Sequence, residues 1–268
     1  MDGFVQKIKE LLPSVIDYKI VTEEELKDLL MFYESELSNR TKISHYEFFY
    51  DWVASAIGGK NKSKAFLVFY NNALEELFVL LGNSFPHAIV TKIRDSILTK
   101  QESYLDSLGE ILLIWYLLKN YKGQYEFLGT DFKLGNGKDC DVAFKAGNHI
   151  QLIEIKNIHN LINKNLEVTI KKRIEGKMSD KTKQLHQIQS YFSIVHPNCN
   201  VTLSVLLFIW EDYVDLANQS FDSVKLKNEL GDDFLPPITL VCQVENEDYY
   251  WDICPLSEIV NRTMKCID

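Results

Sequence analysis

Residues 138 to 156 read Lys-Asp-Cys-Asp-Val-Ala-Phe-Lys-Ala-Gly-Asn-His-Ile-Gln-Leu-Ile-Glu-Ile-Lys. Two short β-like runs flank a turn. The first is Asp139 to Lys145, where Cys140, Val142 and Phe144 alternate with Asp139, Asp141 and Ala143. The turn is Ala146-Gly147-Asn148, with the Gly and Asn that tight hairpins use. The second run is His149 to Lys156. Strand residues two apart share a face, so Glu154 and Lys156 point one way and Ile153 and Ile155 the other. Pairing the runs as a hairpin brings Asp141 near Glu154. Two carboxylates and an amine then converge at the end of a small sheet.

Such a trio suits hydrolysis of a phosphodiester. Paired carboxylates are hard oxygen ligands for Mg²⁺ or Mn²⁺. A bound divalent ion polarises the ester and lowers the pKa of a water. An adjacent ammonium group orients that water or balances charge on the phosphate. Asp141 followed by Glu154-Ile155-Lys156 resembles the motif of the PD-(D/E)xK nuclease superfamily, the restriction-endonuclease-like fold. The Pro of the family's name is absent: Lys138-Asp139-Cys140 precedes Asp141. The resemblance implies an α/β fold with a mixed central sheet flanked by helices. It implies Mg²⁺, with Mn²⁺ as substitute, held by Asp141, Glu154 and the Ile155 carbonyl, with Lys156 acting on the attacking water.

Upstream, the apolar spacing predicts a helix over Tyr104 to Asn120 that carries Glu110 inside an apolar stretch. A buried acid needs a partner. In the family, a helix before the first strand often carries a Glu that joins the metal site, and Glu110 matches that position; the alternative is a Glu on a partly solvated helix. A first strand is expected over Gln124 to Leu128. The first hundred residues read as helical. Phe4, Ile8, Leu11 and Leu12 share a face, Pro13 ends or bends that helix, and Thr22-Glu23-Glu24-Glu25 reads as a capping box. Further helices are expected over Tyr46 to Ala56, Ala65 to Leu81 and His87 to Leu98. Gly58 to Lys64 reads as a polar loop without the spacing of a phosphate cradle. Residues 1–100 are thus a helical lobe or added layer, and 101–268 the nuclease-like domain.

Downstream, residues 156 to 183 hold eight Lys/Arg against three acids. Lys171, Lys172 and Arg173 are the expected nucleic-acid contacts; a solvated helix face would have the same composition. A helix is expected from about Asp180 to Val195. It places Gln187 and Tyr191 on one face, similar to the Gln-x-x-x-Tyr motif of the RecB-like branch, where these residues would steady the DNA backbone or the lysine. Gln184 is a rival for the polar role. Val201 to Trp210 is a continuous apolar, β-branched run, as in a strand buried on both faces. A helix within 211 to 230 and strands near Ile238 to Val244 and Tyr249 to Cys254 complete the expected sheet. The resemblance covers roughly residues 104 to 210.

Hydrophobic residues make up 46% and charged residues 25% of the 268, the balance of a folded chain. Net charge is −9, yet residues 211 to 252 alone hold eleven acids against two lysines, so the acidity is local. The five cysteines form no Cys-x-x-Cys pair and the six histidines no metal spacing, which fits reduced thiols in a cytoplasm. Met1-Asp2-Gly3-Phe4 does not open a signal peptide, and the longest apolar stretch is too short to span a membrane.

The expected activity is a metal-dependent deoxyribonuclease, an endonuclease of restriction or phage defence. Repair or recombination and an RNA substrate are the alternatives. A second reading is a catalytically inactive nuclease-fold protein that binds or assembles. A third takes Asp139-Cys140-Asp141 as the Asp-x-Asp of a sugar-nucleotide transferase; it leaves Glu154, Lys156 and Glu110 without a role. Cutting both strands with one site per chain would call for a homodimer or a larger defence complex.

Overall fold

The computed structural model describes residues 2–37, 49–82, 86–100, 103–121, 123–134, 139–158, 190–192, 194–210 and 235–262. They divide into two units: residues 1–119 with 242–252, and residues 120–241 with 253–268.

Among the described residues, the first unit holds seven helices: α1 (Asp2–Leu11), α2 (Pro13–Asp17), α3 (Glu23–Leu37), α4 (Phe49–Ile57), α5 (Asn61–Leu81), α6 (His87–Leu98) and α7 (Tyr104–Asn120), the last residue of α7 counting with the second unit. Pro13 does more than end α1. It opens α2, since its fixed φ and missing N–H suit a first turn. The capping box forms as read. Thr22 Oγ1 accepts the Glu25 amide at 3.2 Å, and a Glu25 carboxylate oxygen accepts the Thr22 amide at 2.8 Å. Arg94 of α6 donates to both oxygens of the same carboxylate and to the Ile20 carbonyl, clipping α6 to the start of α3.

Helix α5 starts a turn before the expected Ala65. The expected polar loop is helical from Asn61: Asn61 and Lys64 stay exposed while Ser63 is buried in this first turn. Its buried stripe, Phe66, Leu67, Tyr70, Leu74 and Leu77, repeats at three and four residues. Trp52 donates its indole N–H to the Tyr104 hydroxyl at 3.2 Å, and Tyr70 bonds Ser96 at 2.9 Å, so these aromatic cores keep their polar atoms satisfied.

The sheet has six strands in the order β1 (Glu126–Lys133), β2 (Asp139–Ala146), β3 (His149–Ile158), β4 (Asn200–Ile209), β5 (Ile238–Glu245) and β6 (Asp248–Pro255), followed by α8 (Leu256–Arg262). It is mixed: β1–β2 and β2–β3 are antiparallel, while β3–β4 and β4–β5 are parallel. The chain is therefore α/β with a mixed sheet. Residues 238–241 and 253–255 of the last two strands belong to the second unit, and the intervening 242–252 to the first.

Strand β1 lies later and runs longer than the expected Gln124 to Leu128. A bulge between Phe127 and Gly129, with Gly129 at φ 141° and Asp131 at φ 48°, breaks the alternation that would have marked it. The β2–β3 turn is tight, with Ala146 opposite His149. Gly147 has φ 57° and Asn148 is not in the positive-φ region, the pattern of a type II′ turn with Gly first. In β3, Leu152 through Ile155 are all buried, as expected of a central strand. Helical residues 190–192 and 194–195 precede β4; the helix expected within 211 to 230 lies outside the described residues.

Candidate active site

Hairpin register sets the site. Val142 pairs with Ile153, and the antiparallel count continued one step puts Asp141 opposite Glu154. There the backbone ladder gives way to side-chain bonds. The Cys140 thiol donates to the Ile153 carbonyl at 3.1 Å, and Asp141 Oδ2 accepts the Ile155 amide at 2.7 Å. The Asp141 carboxylate thus rests on the backbone of the residue between Glu154 and Lys156. Its other oxygen, Oδ1, has no partner among the described residues.

Glu154 is 1% exposed although it is an acid, while Lys156, two residues on and on the same face, is half-buried. Glu154 lies beside Val205 and Lys156 beside Leu207 in the parallel ladder with β4. The same face carries a core of Ala143, Ile150, Leu152, Val201, Leu203 and Phe192, and Tyr191 packs against it. The rings of Tyr191 and Phe192 meet edge-on at 5.5 Å. Asp141, Glu154, Lys156 and Tyr191 therefore all belong to one face of the second unit.

Asp139 and Asp141 are drawn to different neighbouring strands. Asp139 is paired with Lys133 of β1 at 3.0 Å, whereas Asp141 bonds β3. That divergence weighs against an Asp-x-Asp pair acting together.

Glu110 belongs to the first unit. Its Oε2 lies 2.5 Å from Lys92 Nζ of α6, and both side chains are largely buried. This is the partner a buried acid requires. No sequence rule identifies a lysine 18 residues away as that partner. Among the described residues there is no group of three or more His, Cys, Asp or Glu placed to hold a metal ion. Gln187, its rival Gln184 and the basic trio Lys171, Lys172 and Arg173 lie outside the described residues.

This chain matches no protein-family model, no curated protein and no solved structure. Among the described residues, no helix is long and apolar enough to cross a membrane. The functional reading therefore rests on the site's own chemistry. Sequence reasoning missed Cys140: a thiol at the point where the ladder ends carries no motif, and only the register reveals that it bonds β3.

Proposed function

We propose that the chain is a metal-dependent nuclease that hydrolyses DNA phosphodiester bonds, of the PD-(D/E)xK type. One observation carries this reading: the Asp141 carboxylate is bonded to the Ile155 amide, within the Glu154-Ile155-Lys156 segment whose glutamate is buried on the same face. The donors fit a hard divalent cation. Asp141 Oδ1, the Glu154 carboxylate and the Ile155 carbonyl are all oxygens, and no soft ligand stands among them. When bound, Mg²⁺ would supply Lewis-acid polarisation of the phosphodiester and a more acidic water.

The chain's own residues divide the remaining work. Ile155 N–H fixes the Asp141 carboxylate, so its orientation is set before substrate arrives. Burial of Glu154 excludes competing water from the same edge. Lys156 positions the attacking water and offsets charge building on the phosphate. Water attacks phosphorus in line, the P–O3′ bond breaks, and the products are a 5′-phosphate and a 3′-hydroxyl. Tyr191, with Gln187, would steady the DNA backbone or Lys156. A role in restriction or phage defence, in a cytoplasm, belongs to this proposal.

The second reading, a nuclease-fold protein that only binds or assembles, is favoured by the Lys92–Glu110 pair, which gives that buried acid a structural partner. One experiment separates the two: purified protein incubated with plasmid, linear DNA and RNA, in Mg²⁺ or EDTA. Cleavage dependent on Mg²⁺ is expected, and Lys156→Ala should abolish it while DNA binding persists. Asp141→Ala and Glu154→Ala should weaken metal affinity, with partial rescue by Mn²⁺. Full cleavage by a Glu154→Ala, Lys156→Ala double variant would place the activity elsewhere.

A further inference from the structure

Within the first unit, a cavity of about 490 Å³ opens between α5 and the start of β6. Its volume is in the range of small-ligand sites. On the α5 wall, Asn61, Lys64, Phe69 and Asn72 recur at helical spacing, spread along about 16 Å of helix axis. The other wall brings Asp248 and Tyr249. Strand alternation puts Tyr249 on the side of Trp251. Trp251 stacks edge-on against Phe66 of α5 at 5.1 Å and donates to the Lys62 carbonyl at 3.1 Å, so Tyr249 also faces α5.

Among the described residues, the side chains of Asn61, Lys64, Asn72 and Asp248 make no hydrogen bond or ion pair. The cavity thus combines aromatic surface with unengaged carboxamides, an ammonium and a carboxylate. An aliphatic ligand would displace water from these exposed polar groups and return no hydrogen bond. A polyphosphate would find only one lining ammonium, Lys64, to offset its charge. A flat heterocycle suits Tyr249 and Phe69, carboxamides match its alternating donors and acceptors, and an ammonium suits a single phosphate.

We propose that this cavity binds a nucleotide. Its phosphate lies at the Asn61 and Lys64 end, its base edge at Asn72, and its base against Tyr249. The lining contains no thiol, serine or histidine nucleophile, so the site binds rather than reacts. A free mononucleotide and the end of a single strand share this chemistry. The proposal does not depend on the nuclease reading.

The test is titration in EDTA, to exclude metal-dependent cleavage, with adenosine, AMP, GMP, CMP, UMP and a 5′-phosphorylated oligo-dT of about four residues as probes. Saturable binding of a mononucleotide would identify the free form; binding of the oligonucleotide alone would identify a strand end. Tyr249→Ala should weaken binding at least about tenfold while Tyr249→Phe retains it. Lys64→Ala should weaken nucleotide binding and leave nucleoside binding unchanged. Circular dichroism checks that each variant is folded. Absence of saturable binding by every probe, or binding indifferent to both Tyr249→Ala and Lys64→Ala, would overturn the proposal.

Discussion

Two acidic residues of the first unit show how one carboxylate can be held by several partners. Burial pushes the Glu25 carboxyl up, but its bonds from Arg94 and Thr22 outweigh that and hold it below the usual carboxylate range. A carboxyl depressed by folding adds stability above its unfolded value, about 4.3, and that stability is lost as pH falls through the folded value. Glu25→Gln keeps a capping side chain and removes the charge. It should cost about 1 kcal/mol at neutral pH, and the difference from the parent should be smaller at pH 3 in urea melts. An equal gap at both pH values would show that the charge is not what matters.

Glu110 behaves differently, because its ammonium partner is itself largely buried. Lys92→Met and Glu110→Gln should each lower stability by about 2 kcal/mol, and the double variant should cost less than their sum. Strict additivity would dismiss the pair as incidental. Cleavage assays on the same two variants would show whether Glu110 also serves the metal, since only its own replacement would then slow the reaction.

At the level of elements, the β2–β3 hairpin sets the register that puts Asp141 opposite Glu154, and its turn depends on Gly147 at φ 57°. A Cβ there would meet nothing within 4 Å, so the cost of Gly147→Ala is conformational rather than steric. It should be about 1–2 kcal/mol in thermal or urea unfolding. A neutral result would mean that the turn relaxes to another type. The hairpin was legible because its alternation, its Gly-Asn turn and its length agree. Helix α7 was legible to the residue, since apolar spacing runs unbroken from Tyr104 to Asn120. The capping box at Thr22 was readable for a similar reason: its chemistry is local. Strand β1 was misplaced because a bulge hides its period, and the first turn of α5 because polar, glycine-led segments look like loops. The Lys92 partner of Glu110 and the thiol bond of Cys140 were not readable, since both depend on which element lands beside which.

At the scale of the whole molecule, a net charge of −9 sits poorly with a DNA-binding role unless the basic segment after Lys156 acts locally. Replacing Lys171, Lys172 and Arg173 together with Ala should weaken DNA binding and reduce the slope of log affinity against log salt by about 2–3. An unchanged slope would return the segment to a solvated surface. The sequence suggested a helical first part and a sheet-bearing second part, but not that residues 242–252 would count with the first. That membership rests on aromatic contacts far apart in the chain: Trp251 lies against Trp52 at 5.7 Å and Phe66 at 5.1 Å.

The Trp251 packing has a consequence for biosynthesis. On the ribosome, α4 and α5 are complete long before the residue that covers Trp52 and Phe66 has been made, since Trp251 bonds Lys62 across 189 positions. The nascent helices must keep an unfilled aromatic seat until Trp251 has been made. N-terminal-first folding of the first unit is therefore barred from its final step, and the seat is filled only once Trp251 has left the exit tunnel.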